Sequence, residues 1–225
     1  MLTADPRLPD HRPLVIAHRS GNTIARAIEA HRLGADMIET DVWLHQGQLE
    51  IRHPNRVGPV MWERWKIHLG YKRLLLGDLL RETPDESLLF LDLKGDDMGL
   101  GPAILQELRR TAPDRLVAVC GRNYAQMDRL IDAPNVILFY SVGEIDEWRD
   151  AWPRLEAMRY PALSLRRALA TPEVMTRLND MGVTVVCWGV NTPEHLQALE
   201  QLGVSGATTD SPELIRMVNA ARATR

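Results

Sequence analysis

A (β/α)8 barrel is the fold class this sequence predicts, and three observations predict it. Apolar runs of strand length alternate with amphipathic stretches of helix length along the chain. Eight such units can be counted, with strands about 20 to 30 residues apart, as parallel βαβ units require. With 225 residues, eight units suit a closed barrel, which runs from about 200 residues upward, better than a doubly wound sheet.

The elements follow in order. VIAH (15–18) is the first strand, and TIARAIEAHRLG (23–34) the first helix, with Ile24, Ala27, Ile28 and His31 at helical spacing and Gly34 as its stop. DMIETDVWL (36–44) is the second strand, turned by Gln46-Gly47-Gln48 into a return strand, LEIRH (49–53). The stretch 54–73 breaks the rhythm and reads as an insertion over the barrel mouth. A helix is expected over LLLGDLLRET (74–83), the third strand over SLLFLDLK (87–94) and a helix over 102–111. RLVAVCG (115–121) and NVILFYSV (135–142) are strands four and five, with helices over 124–132 and over EIDEWRDAWPRLEAM, the latter interrupted near Pro153. PALSLR (161–166), VTVVCWGV (183–190) and SGATTD (205–210) complete the barrel. Each precedes a helix that opens on Thr-Pro or Ser-Pro, and Gly182 ends the sixth. No linker or low-complexity tract divides the chain, so one domain over 1–225 is expected.

Composition narrows the function. Hydrophobic residues make up 45% and charged residues 25%, an ordinary globular balance. Lys and Arg total 27 against 30 Asp and Glu, a net charge of −3 that leaves no electrostatic footprint for nucleic acid. Cys120 and Cys187 stand in apolar runs, in no metal-like spacing, and read as buried thiols. MLTADPRLPDHRP lacks the apolar core of a signal peptide, and no apolar run is long enough to span a bilayer, so a cytoplasmic location is expected.

The chemistry gathers at strand ends. Side chains two apart on a strand share a face, so Glu39 and Asp41 point together into the barrel if Ile38, Thr40 and Val42 meet the helices. Asp92 and Lys94 repeat the pattern on strand three, strand one ends in His18 and Arg19, and the return strand delivers His53. Each signal alone has a bland reading as a salt-bridged strand end or a satisfied histidine. Arriving together at the C-terminal ends of consecutive strands, they outweigh it. Three carboxylates in one mouth suit a hard divalent cation, Mg²⁺ or Ca²⁺. Arg19 and Lys94 suit a phosphate, and two histidines supply an acid and a base. His11, His31, His45, His68 and His195 keep structural readings.

These residues carry a resemblance. "VIAHRS…NT…GADMIETDV…H" resembles the opening of the glycerophosphodiester phosphodiesterase family, "LFLDLK" its middle, and "VVCWGVNTPEHLQALEQLGVSGATTDSP" its close. The resemblance implies a TIM barrel with one divalent metal that hydrolyses glycerophosphodiesters to glycerol phosphate and an alcohol. It implies His18 and His53 as the acid/base pair, and Glu39, Asp41 and Asp92 as metal ligands. It further implies Arg19 and Lys94 on the phosphate, Trp188 against the substrate and a structural Asp210. Three departures stand out: the shortened Ser20-Gly21-Asn22-Thr23 loop, Pro54 where the family has Asp, and Asp92 where it has Glu. The short loop and Asp-Leu-Lys are similar to sphingomyelinase D-like phospholipases, but those enzymes are usually secreted and carry a disulfide-bearing loop that this chain lacks. The aromatic and basic insertion, with Met61, Trp62, Trp65, Ile67, Leu69 and Tyr71, raises a first alternative: a lysophospholipase D-like enzyme touching a lipid surface. A non-catalytic phosphodiester-binding protein is the second.

Overall fold

The computed structural model describes residues 4–57, 60–63, 66–68 and 73–224. Eight parallel strands form the barrel: β1 (Leu14–Ala17), β2 (Met37–His45), β3 (Leu88–Lys94), β4 (Val117–Gly121), β5 (Val136–Val142), β6 (Ala162–Arg166), β7 (Thr184–Trp188) and β8 (Gly206–Thr209). Each pairs with the next, and β1 pairs with both β2 and β8, which closes the sheet. Between them run α1 (Ile24–Arg32), α2 (Leu76–Glu82), α3 (Leu100–Thr111), α4 (Tyr124–Met127), α5 (Trp148–Ala157), α6 (Pro172–Asp180) and α7 (Pro193–Gln201), and α8 (Pro212–Ala223) follows β8.

Alternation along the strands builds two cores. The outward series, including Val15, Ile38, Val42, Leu89 and Leu91, packs under the helices. The inward series, including Ile16, Met37, Phe90, Ala118, Phe139 and Val186, fills the barrel, with Leu8 added from the N-terminal segment. Phe90 and Phe139 meet edge to face at 5.2 Å. The lower barrel is therefore a packed apolar plug, and side chains further along the same inward series emerge at the C-terminal mouth.

Local chemistry sets the helix ends. Thr171, Thr192 and Ser211 each accept a hydrogen bond from the backbone three residues on, and each is followed by Pro and Glu. The hydroxyl caps an orphan N–H, the proline presets the helical φ, and the glutamate meets the positive helix end. Gly34 and Gly182 take φ of 80° and 67° just past α1 and α6, the left-handed stop expected of them.

β2 outruns the barrel. Its end turns through Gln46 and Gly47, both at positive φ, into an antiparallel return strand, Gln48–Ile51. Leu74–Leu75 adds antiparallel to that return strand, so α2 begins at Leu76 rather than Leu74. Between them Asn55–Val57, Val60–Glu63 and Lys66–His68 form a separate antiparallel sheet. Met61 is buried there, while Trp62 and Ile67 lie directly opposite each other and exposed. Trp65, Leu69 and Tyr71 lie outside the described residues.

Two further helices differ from expectation. Pro153 lies within α5 without breaking it. Buried Ala151 and Leu155, the stacked Trp148 and Trp152, and Arg177 at 3.8 Å over the Trp152 ring hold the helix against the roughly 3 kcal/mol a mid-helix proline costs. The helix expected over 124–132 is α-helical only to Met127 and then tightens to a 3-10 turn over Asp128–Leu130. There the Asp128 carboxylate is held by Tyr140 and Arg154.

The turn Ser20–Asn22 lies close on β2: a Cβ on Gly21 would come within 2.7 Å of Thr40 Cβ and 3.1 Å of the Glu39 carbonyl. Gly21→Ala is expected to push this turn off the barrel and lower stability by about 1–3 kcal/mol in urea unfolding. An unchanged midpoint would mean that the turn is not packed as described.

Candidate active site

The mouth holds what the inward series delivers. Glu39 and Asp41 stand buried on β2, and Asp92 stands half-buried on β3, with one oxygen of each within 4.8 Å of the others. The Lys94 ammonium lies 3.0 Å from Asp41 and bonds Asp92. Asn22 clamps β2 from the turn above: its amide donates to Asp41 Oδ2 at 2.7 Å, and its carbonyl accepts from the Asp41 backbone at 2.9 Å and the Thr40 hydroxyl at 3.0 Å.

His18 and His53 approach from two sides. His18 Nδ1 lies 2.7 Å from the Asp210 carboxylate, leaving Nε2 facing Glu39 at 4.0 Å. Arg19 has φ of 51°, the left-handed region, which costs a non-glycine residue roughly 1–2 kcal/mol. That turn aims its backbone N–H at Glu39 and its guanidinium at His53 Nε2. The chain around His53 is tied down by buried Arg52, which bonds Glu50 at 3.1 Å and the Pro54 carbonyl at 2.6 Å. Arg52 also lies over the Trp43 ring at 4.4 Å.

The charges are strongly perturbed. Burial, then the neighbouring charges of Asp41 and Asp92, push the Glu39 carboxyl well above the usual carboxylate range. Burial also raises Asp92, against the opposing pull of Lys94. Although burial disfavours its charge, Lys94 is held protonated by Asp92 and Asp41. Asp210 is held below its usual range despite partial burial, chiefly by His18. Three hard oxygen donors straining against one another fit a divalent cation, whose charge would relieve the repulsion.

A cavity of about 1150 Å³ opens over this cluster. Of the residues expected from sequence, His18, Arg19, Glu39, Asp92, Lys94 and Trp188 line it. Asp41 is reached through Lys94 and Asn22, and His53 through Arg19. The structure therefore brings together all eight. Sequence reasoning missed Asn22 as a clamp, took Asp210 as structural and passed over Arg122, another cavity residue. Alternation would have found two of these: Thr208 leads to Asp210 on β8, and Ala118 and Cys120 lead to Arg122 on β4. Two histidines read as structural are engaged elsewhere, His11 with Asp36 at 2.6 Å and His31 with Ser87 at 2.8 Å.

Comparison with known proteins supplies the family. The sequence profile of the glycerophosphoryl diester phosphodiesterase family matches residues 98–214, more than half of the chain. The chain belongs to that family. As a glycerophosphodiester phosphodiesterase family member it is a phosphoric diester hydrolase, which removes the reading as a non-catalytic binding protein. The matched stretch begins after Lys94, so the residues on β1 to β3 rest on the geometry above. A glycerophosphodiester phosphodiesterase of Caldanaerobacter subterraneus subsp. tengcongensis is 28% identical, over 92% of this chain and 98% of its own. Among solved structures, a glycerophosphodiester phosphodiesterase of Parabacteroides distasonis superposes with a TM-score of 0.75 at 21% identity, covering 93% of this chain and 97% of that one. An Oleispira antarctica phosphodiesterase in complex with the product sn-glycerol-3-phosphate gives 0.74 at 20% identity, covering 91% and 96%. Both share the barrel fold.

A carboxyl raised in the fold binds its proton more tightly there than in the unfolded chain. Its contribution is present below the ordinary carboxylate pKa and lost as pH rises through the folded value. Thermal melts in chelator should therefore show stability falling as pH rises through this range, with Glu39→Gln flattening the slope and melting higher at pH 8. A variant that melts no higher at pH 8 than the parent would mean that the three carboxylates do not strain one another.

Proposed function

We propose that this protein hydrolyses glycerophosphodiesters to glycerol phosphate and an alcohol, using His18 and His53 as general acid and base beside a divalent cation on Glu39, Asp41 and Asp92. The observation that carries the reading is the clustering of those carboxylates within 4.8 Å of one another beside His18, Arg19 and Lys94. They gather at the C-terminal mouth, where (β/α)8 enzymes place their chemistry. The glycerol phosphate held by the Oleispira barrel supports the substrate class.

Arg19 and Lys94 place fixed positive charge where the phosphoryl oxygens gain negative charge in the transition state. Bound to the three carboxylates, Mg²⁺ or Ca²⁺ would supply Lewis-acid charge to the same phosphoryl group. Asp210 holds His18 through Nδ1 and so fixes the direction of Nε2, the atom left to exchange a proton. His18 and His53 divide two proton transfers between them. One histidine takes a proton from the attacking hydroxyl, which belongs to water or to a neighbouring substrate group, and the other gives one to the departing alkoxide. Asp210 is thus a positioning residue for His18.

The same proposal extends to the molecule as a whole. We read residues 1–225 as one cytoplasmic domain, acting on small molecules rather than nucleic acid. Among the described residues no helix is long and apolar enough to cross a membrane. A second reading is favoured by one observation, the exposed Trp62–Ile67 pair on the inserted sheet. Arg56, Arg64, Lys66, Lys72 and Arg73 accompany it in the sequence against a single acid, Glu63. An exposed aromatic and aliphatic pair within a stretch this basic in sequence suits a lipid interface and a lysolipid phosphodiester.

His18→Ala and His53→Ala should each lower kcat on glycerophosphocholine by about 10²- to 10⁴-fold. Near-parental turnover by either would remove that histidine from the chemistry. Asp210→Asn should cost roughly 10²-fold in kcat or less, with KM little changed. A loss confined to KM would make Asp210 a substrate contact. Side-by-side assays should show glycerophosphocholine cleaved faster than lysophosphatidylcholine, and the reverse order would favour the lipid reading.

A further inference from the structure

The cavity extends past the carboxylates to a wall built by β4, β5 and β7, and that wall holds a guanidinium the proposed chemistry does not use. Arg122 follows β4 on the inward series of Ala118 and Cys120, so it emerges at the same mouth as the catalytic candidates. Its Nε donates to Glu147 Oε1 at 2.5 Å. The other Glu147 oxygen accepts from the backbone N–H groups of Gly143 at 2.7 Å and Glu144 at 2.9 Å. The guanidinium is therefore anchored at one edge and about half exposed. Its two terminal nitrogens have no hydrogen-bond partner among the described residues.

Trp188 stands beside it. A Cβ on Gly143 would meet Trp188 Cζ2 at 3.3 Å and Arg122 Cζ at 3.4 Å, so indole and guanidinium rest against the same backbone. Two carboxylates of this wall are paired with arginine, Glu147 with Arg122 and Asp150 with Arg149 at 3.1 Å, while Asp96 accepts one long bond, 3.4 Å, from the Asn123 amide. A quaternary ammonium needs an aromatic face with no cation beside it, or an uncommitted carboxylate. Trp188 has Arg122 beside it, and Glu147, the carboxylate next to that guanidinium, is committed to it. An anchored fork of two NH₂ groups next to an indole instead suits hydroxyl oxygens above and C–H groups below.

We propose that Arg122 and Trp188 form the subsite for the variable alcohol of the phosphodiester, and that it selects a neutral polyol over a quaternary ammonium. The Glu147 carboxylate cancels the guanidinium charge, which is why a polyol fits better than an anion. The wall also lies on the solvent-open rim, where a departing alcohol leaves. This assignment rests on the glycerophosphodiesterase reading and names its leaving group.

The test compares kcat/KM on glycerophosphoinositol, glycerophosphoglycerol, glycerophosphoserine and glycerophosphocholine for the parent, Arg122→Met and Glu147→Gln, with matched thermal melts. The parent should favour the two polyol esters by about tenfold or more over the choline ester. Arg122→Met should lose about tenfold on the polyol esters and less than about twofold on the choline ester. Glu147→Gln, with its counter-charge removed, should gain on the serine ester. A parent preference for choline or serine, an unchanged ratio in Arg122→Met, or an equal loss on all four esters would overturn the subsite while leaving the phosphodiesterase intact. An absence of turnover by the parent on all four would overturn the functional reading and the subsite together.

Discussion

Mutual repulsion among Glu39, Asp41 and Asp92 is the constraint on which the mouth depends. One oxygen from each lies within 4.8 Å of the others, and burial of Glu39 and Asp41 removes much of the water that would screen them. Such a cluster persists only where positive charge and aligned donors converge on it. Lys94 supplies the first, and the Asn22 amide and Arg19 backbone N–H supply the second. The strain is local, and the plug of Phe90, Phe139 and their neighbours below keeps the barrel closed beneath it.

The loop after β1 translates that constraint into geometry. Gly21 lets the turn approach β2 closely enough for Asn22 to hold Asp41. Arg19, strained into a left-handed conformation, then directs one donor at Glu39 and another at His53. This short loop thus joins the two halves of the site. On the other side of β1, the Asp210 carboxylate orients His18 from β8, so both strands that flank the barrel's closure serve one histidine.

Much of this was legible in the sequence, for a physical reason: a parallel strand buried on both faces has few ways to tolerate a charge. Glu39, Asp41, Asp92 and Lys94 stand out against Ile38, Val42, Leu91 and Leu93, and their spacing alone places them inside the barrel. The helix boundaries at Thr171-Pro172 and Gly182 were legible because capping is local chemistry. Asn22 was not, because its role depends on a turn folding back onto β2. Arg122 lay one residue beyond its strand, where alternation still holds but the apolar run that reveals it has ended, whereas Asp210 was read at the end of its strand and given a structural role. Pro153 misled because tertiary packing outweighed local propensity. In the insertion, the antiparallel pairing of Val60–Glu63 with Lys66–His68 makes a sheet whose exposed pair no periodicity announced.

The central claim is that the carboxylate cluster works by holding a divalent cation beside the two histidines. The most direct test measures glycerol phosphate released from glycerophosphocholine by protein stripped with chelator, then resupplied with Mg²⁺ or Ca²⁺, alongside Asp41→Asn treated identically. Turnover that vanishes on stripping, returns with one of the ions and does not return in Asp41→Asn is the result predicted. Full turnover by the stripped protein, or equal recovery in Asp41→Asn, would contradict the account.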